Sequence, residues 1–182
     1  MEKGSDHIHS ALVAAAIRGE EAAFSRLYKL YAKAMYNTAY RIVRREDEAS
    51  DILQDSFISA FRNLSSYRSE ASFGSWLKRI VINKSVNAVQ RNRLIFFADG
   101  EEEGIPALED ANENPFPFEA AQVTEAIRQL PDGYRTVLSL YLIEGYDHSE
   151  IAEILDITES TSKSQFSRSK KKLIELLKHQ KP

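Results

Sequence analysis

The chain has 182 residues, 43% of them apolar and 28% charged, enough to bury a core in one compact domain or two small ones. It contains no cysteine, which excludes disulfide scaffolds, thiolate zinc sites and cysteine nucleophiles and favours a reducing, cytoplasmic setting. The net charge of −3 hides a segregation: residues 62–93 and 160–182 each carry seven basic side chains against one acidic, whereas residues 94–121 carry eight acidic and no basic ones.

Two basic blocks separated by an acidic stretch point to two anionic contacts on one chain. No apolar run approaches the ~18 residues that would cross a bilayer, so no membrane insertion is expected. With only 7 Gly and 5 Pro, the chain is also short of the tight turns an all-β fold needs.

Helical periodicity dominates instead. Phe24, Leu27, Tyr28, Tyr31, Met35, Ala39, Ile42 and Val43 recur at three- and four-residue steps. Leu53, Phe57, Ala60, Phe61 and Leu64 do the same, and a third helix should follow Ser72 with Phe73, Leu77, Ile80 and Val81 inward. The first ten residues read as a polar, frayed tail that holds His7 and His9.

Residues 94–121 read as an extended acidic linker, broken by Asp-Gly, Gly-Ile-Pro and Glu-Asn-Pro. Beyond it, Val123, Ile127 and Leu130 make a short helix closed by Pro131. Tyr134, Val137, Leu138 and Tyr141 continue on another, ended by Gly145. Asp147 and Glu150 have capping-box spacing for a short helix with Ile151, Ala152 and Leu155 inward. After a turn at Asp156, Thr158 should cap a long final helix.

The expected architecture is all-α: a helical bundle over residues 1–93, a linker over 94–121 and a helix-turn-helix domain over 122–182. The second helix of such a pair enters the major groove N-terminus first. Its early residues include Thr161, Lys163, Ser164, Gln165, Ser167 and Arg168, short polar donors and acceptors for base edges with charge for phosphates. That a Ser-rich run lowers helix propensity favours a role other than stability.

The third N-terminal helix carries Arg79, Asn83, Asn87 and Arg91 at four-residue steps, flanked by Lys78 and Lys84. Before it, residues 67–76 combine Tyr67, Arg68, small polar residues and Trp76, which suits an unstacked base of single-stranded DNA. On the second helix, Asp51, Asp55, Ile58 and Arg62, with Gln54 beside them, lie away from the core stripe. An isoleucine among carboxylates on an exposed face suggests a protein partner.

These features, in this order, resemble the bacterial sigma-70 family, and in particular its short extracytoplasmic-function (ECF) group. The matching segments are DEASDILQDSFISAFR at 47–62, YRSEASFGSWLKRIVIN at 67–83, LPDGYR at 130–135, GYDHSEIAEIL at 145–155 and TSKS at 161–164. The resemblance implies a sigma factor that binds core RNA polymerase, recognises promoter DNA and is held by an anti-sigma factor, acting as a monomer within the holoenzyme. It implies no enzyme activity and no cofactor. It assigns Asp51, Gln54, Asp55 and Ile58 to polymerase. Tyr67, Trp76, Arg79 and Asn83 fall to the −10 element, and Lys163, Ser164, Ser167 and Arg168 to the −35 element. The residues beside them, Arg62, Lys78, Lys84 and Asn87 in the N-terminal bundle and Thr161 and Gln165 on the final helix, complete the expected DNA-binding set. Ser162 departs from the family pattern by placing a hydroxyl where an apolar anchor is usual, and Gln165 by removing a charge.

A ligand-responsive helix-turn-helix repressor shares the C-terminal pattern but leaves the 51–62 face and the 67–76 loop without a role. Against an enzyme, no glycine-rich phosphate loop or nucleophile motif appears. His7 and His9 find no third metal ligand at suitable spacing.

Overall fold

The structure is a computed structural model, and it describes residues 3–92 and 119–179. The described residues form eight α-helices and no strand, divided into two compact units. Residues 94–118 of the expected acidic linker lie outside the described residues.

The first unit contains α1 (Lys3–Ile17), α2 (Glu21–Val43), α3 (Glu46–Arg62), a 3-10 turn at Leu64–Ser66, and α4 (Phe73–Asn92). Most of the α2 stripe read from the sequence faces the core: Leu27, Met35, Ala39, Ile42 and Val43 are buried and Phe24 and Tyr31 half-buried, but Tyr28 is exposed, lying against Phe57 at 4.7 Å between ring centres. Helix α2 packs along α3 and against α1. It ends at Arg44, whose φ of 62° puts it in the left-handed region and lets its N–H reach the Tyr40 carbonyl at 2.9 Å. Glu46, Asp47 and Glu48 then fill the first turn of α3, where the helix dipole favours them.

Helix α4 is more deeply enclosed than its hydrophobic spacing suggests. Phe73, Leu77, Val81, Ile82, Val86, Ala88 and Val89 are all buried, with Ser85 fully buried among them and bonding back to the Val81 carbonyl at 2.8 Å. Ser72 caps the helix by accepting the Ser75 N–H at 3.2 Å.

The N-terminal tail is a correction to the sequence reading. It is helical from Lys3, and His9 is tied down rather than frayed. Its Nδ1 lies 2.9 Å from the Tyr31 hydroxyl, and the two rings meet edge to face. Val13 and Ala16, one and two turns on, are buried in the same seam.

The second unit contains α5 (Ala120–Gln129), α6 (Asp132–Leu142), α7 (His148–Leu155) and α8 (Glu159–His179). Glu119 and Gln122 form a capping box at α5, and Asp147 and Glu150 form the expected one at α7. The Glu150 backbone N–H holds the Asp147 carboxyl below its ordinary value. Gly145, at φ 81°, lies in the turn that brings the Tyr146 N–H back to the Leu140 carbonyl at 3.1 Å. Asp156 adopts the left-handed conformation between α7 and α8, and Thr158 Oγ1 accepts the Thr161 N–H at 3.0 Å. All three preceding helices of this unit pack on α8.

Candidate polymerase-facing and nucleic-acid surfaces

Helix α3 is two-sided. Ile52, Leu53, Ser56, Phe57 and Ala60 are buried, while Asp51, Gln54, Asp55 and Ile58 are exposed. Ile58, at 48% exposure, is an apolar side chain standing among carboxylates with no core to join. Arg62 is also exposed, at the end of the helix.

The loop before α4 is held by its own aromatics. Phe73 is core, at 3% exposure. Tyr67 and Trp76 are half-buried on it: Tyr67 meets Phe73 at 5.9 Å and Trp76 at 5.3 Å between ring centres, and Phe73 meets Trp76 at 5.7 Å. The Tyr67 hydroxyl donates to the Ala71 carbonyl at 2.6 Å and pins the turn. Gly74 lets α4 approach Tyr31, because a Cβ there would lie 2.8 Å from the Tyr31 ring. Beside this loop, a cavity of about 440 Å³ opens between α1 and residues 67–73, walled by His9, Val13, Tyr31, Tyr67, Glu70 and Phe73. Trp76 is not among its walls.

Along α4, Arg79, Asn83, Asn87 and Arg91 are all exposed, with Lys78 and Lys84 half-buried beside them. Each four-residue step turns the stripe by about 40°, and from Arg79 to Arg91 it runs about 18 Å along the axis. A nucleic-acid backbone is a linear anion that such a stripe can follow.

Helix α8 has an outward stripe and an inward one. Ser160, Lys163 and Lys171 are exposed, and Ser164, Ser167 and Arg168 are half-buried. Lys163 Nζ pairs with Glu159 Oε1 at 2.7 Å, one turn back. Both partners are about half exposed, so the ion pair is worth only about 0.3–0.5 kcal/mol. Thr161 is half-buried and part of the cap, its hydroxyl 2.8 Å from that of Thr158.

The inward stripe corrects two sequence readings. Gln165, expected at a base edge, is only 5% exposed and faces the other helices. Three residues separate it from Ser162 and four from Ser169, so all three fall on one face, and both serines are fully buried. The serine run is therefore partly structural. Small residues let α8 approach α5, α6 and α7 closely, and each hydroxyl has a partner: His148 Nδ1 at 2.9 Å for Ser162, the Phe166 carbonyl at 2.7 Å for Ser169. His148 was not singled out in the sequence. The available signal was a hydroxyl at position 162 in place of an apolar anchor, which requires a polar partner nearby.

The description Sigma-70 region 2 matches residues 27–95, and Sigma-70, region 4 matches residues 120–173. The RNA polymerase sigma-H factor of Pseudomonas aeruginosa is 33% identical over 84% of this chain and 85% of its own length. The ECF RNA polymerase sigma-E factor of Haemophilus influenzae is 31% identical over 88% of this chain and 90% of its own. The chain belongs to the ECF sigma factors. Sigma factors are transcription initiation factors with promoter specificity, not enzymes. The fold is also that of the sigma factor RpoE of Bartonella quintana, solved in complex with the anti-sigma factor NepR. That structure superposes with a TM-score of 0.57 at 23% identity, over 87% of this sigma factor and 98% of the other chain. Among the described residues, no helix is long and apolar enough to cross a membrane.

Proposed function

We propose that this sigma factor, acting from the cytoplasm as a single chain on core RNA polymerase, makes two separate promoter contacts. Residues 1–93 take the −10 element and residues 122–182 the −35 element, with residues 94–121 as the connection between them. The outward stripe of α8 carries this reading: Lys163, Ser164 and Ser167 face away from the core at the start of a 21-residue helix, directly after a tight turn. That is the presentation a major groove requires.

In the first unit, the exposed Arg79–Asn83–Asn87 stripe, with Arg62, Lys78 and Lys84, supports contact with the −10 strand. Tyr67 and Trp76, half-buried and tilted against each other at 5.3 Å between ring centres, support stacking against a base drawn from the duplex. The acidic face of α3, through Asp51, Gln54, Asp55 and Ile58, supports docking on a basic, partly apolar surface of core polymerase. The anti-sigma partner in the complex of the Bartonella quintana relative supports a similar inhibitor here.

Lys163 and Arg168 divide the labour on α8. Five residues apart, they differ by about 140° around the helix and cannot meet one base pair. Lys163→Ala costs about 1–3 kcal/mol on the matched promoter and relaxes preference at one or two adjacent upstream positions. Arg168→Ala weakens all sequences about equally and reduces the salt dependence by about one unit. Holoenzyme titrations on a promoter panel at two salt concentrations check this. A change of sequence ranking with Arg168→Ala alone reverses the assignment.

A further inference from the structure

The second unit is held at one point by a polar contact among aromatic rings. His148 is the first residue of α7. Its ring lies nearly parallel to Tyr141 of α6, 4.6 Å between centres, and edge-on to Phe166 of α8 at 5.5 Å. Tyr141 and Phe166 close the triangle at 4.4 Å. Nδ1 of His148 lies 2.9 Å from the hydroxyl of Ser162, which is fully buried. One imidazole on α7 thus touches both α6 and α8, and its hydrogen bond ends on the residue next to Lys163.

We propose that neutral His148 is a positioning residue for DNA recognition: through Ser162 it fixes the rotation of α8 on α6 and α7, and protonation of the ring loosens that fix. The inference rests on the reading of α8 as the DNA-facing helix.

Van der Waals contacts alone leave a helix with small inward residues several nearly equal rotations. Ser162 and Ser169 are such residues, and they interlock less than leucines would. A hydrogen bond of fixed direction selects one rotation. A rotation of α8 by 20–30° swings the end of a lysine side chain by about 3 Å, enough to lose a base-edge hydrogen bond.

Protonation acts against this arrangement for several reasons. The charged ring loses solvation between Tyr141 and Phe166. Lys163 and Lys170 of α8 repel it, and it sits at the positive end of α7. Asp147 of α7 and Glu159 of α8 favour the charge, but burial and the two lysines outweigh them and hold the ring below its ordinary value of 6.5. Once charged, Nδ1 can only donate, so the Ser162 hydroxyl must accept and turn its own proton toward another group in a buried site.

The direction with pH follows. Above about 6.5 both folded and unfolded chains hold the ring neutral, and the fixed arrangement has its full stability. As pH falls from there through the lower folded value, the unfolded or loosened states bind the proton first, and the fix is lost. Generic attraction works oppositely, since an added positive charge near DNA tightens binding to every sequence. The discriminating quantity is therefore a preference rather than an affinity.

The test uses holoenzyme and a promoter selected by wild-type holoenzyme from a randomised upstream library. The preference for that promoter over one with a scrambled upstream element is measured from pH 7.5 to 5.5. In the wild type it falls as the pH drops. In His148→Phe it is reduced about tenfold at every pH, because the Ser162 hydroxyl is stranded. In the double variant His148→Phe with Ser162→Val, an apolar pair replaces the polar one, so the preference returns and no longer depends on pH. Ser162→Ala, a milder change, flattens the pH dependence, and thermal melts identify any variant that fails to fold. A wild-type preference that does not move with pH, or a double variant with the wild-type pH dependence, overturns the positioning role. If selection yields no upstream preference at all, the DNA reading of α8 fails first and this proposal falls with it.

Discussion

Arg135→Ala destabilises the second unit by about 3–5 kcal/mol, the largest loss expected from any single polar substitution in this sigma factor. Arg135 is a charged side chain at only 3% exposure. Its Nη2 donates to Asp132 Oδ1 at 2.6 Å and its Nη1 to the Leu130 carbonyl at 2.9 Å, so it ties the end of α5 to the first turn of α6 across Pro131. Truncation removes the bond to that carbonyl and the ion pair to a largely enclosed carboxylate, and opens space beside Leu130, itself 2% exposed. Asp132→Ala is costly for the reciprocal reason, because it removes the carboxylate paired with a buried guanidinium. Changing both, with Arg135→Met and Asp132→Ala, costs less than Arg135→Ala alone, since both charges of the pair are removed together and Met refills part of the space. The chain has one tryptophan, Trp76, and it lies in the first unit. Denaturation followed by circular dichroism therefore reports both units, and Trp76 fluorescence reports the first. The circular-dichroism midpoint falls in Arg135→Ala while the fluorescence midpoint stays. An unchanged circular-dichroism midpoint sinks the prediction, and a common shift of both shows that the units unfold together.

Local signals of fixed spacing were legible in the sequence. The Asp147–Glu150 box, the Thr158 cap and the α2 and α3 stripes each depend on residues within one or two turns of one another, so one chain carries the whole signal. Residues whose role depends on a partner far along the chain were not legible. His9 reads as tail until Tyr31, 22 residues away, is placed against it. Ser162 reads as a hydroxyl in an apolar position until His148, 14 residues back, supplies its bond. Gln165 reads as a base-reading side chain because helix periodicity fixes which residues share a face, but not which face is inward when the inward one is Ser, Gln and Ser. In α4, by contrast, the apolar residues are numerous enough to fix the inward side, and the exposure of Arg79, Asn83 and Asn87 follows from it. The exposed face of α3 was legible for the same reason: a strong core stripe through Leu53 and Phe57 leaves the other side outward.

Reversing two charges on that face, Asp51→Arg with Asp55→Arg, lowers affinity for core polymerase at least a hundredfold, about 2.7 kcal/mol or more. The two residues are one turn apart on α3 and both exposed, and Ile58 continues their face as an apolar anchor. If the face meets a basic surface, the double reversal replaces two attractions with two repulsions, and like charges brought together at an interface cost several kcal/mol. The fold itself gives little reason to object. Neither carboxylate lies in the first turn of α3, where the dipole favours acid, because Glu46, Asp47 and Glu48 occupy it. Exposed substitutions of this kind shift stability by less than about 0.5 kcal/mol. Ile58→Ala separates the apolar part from the charged part: it weakens binding by less than the double reversal and leaves the salt dependence unchanged, whereas the reversal makes binding improve with salt. Titration of labelled sigma factor with core polymerase at two ionic strengths, beside a thermal melt, reads all three quantities. Unchanged affinity in the double variant removes this face from the interface, and lost affinity with a lowered melt assigns the residues to the bundle instead.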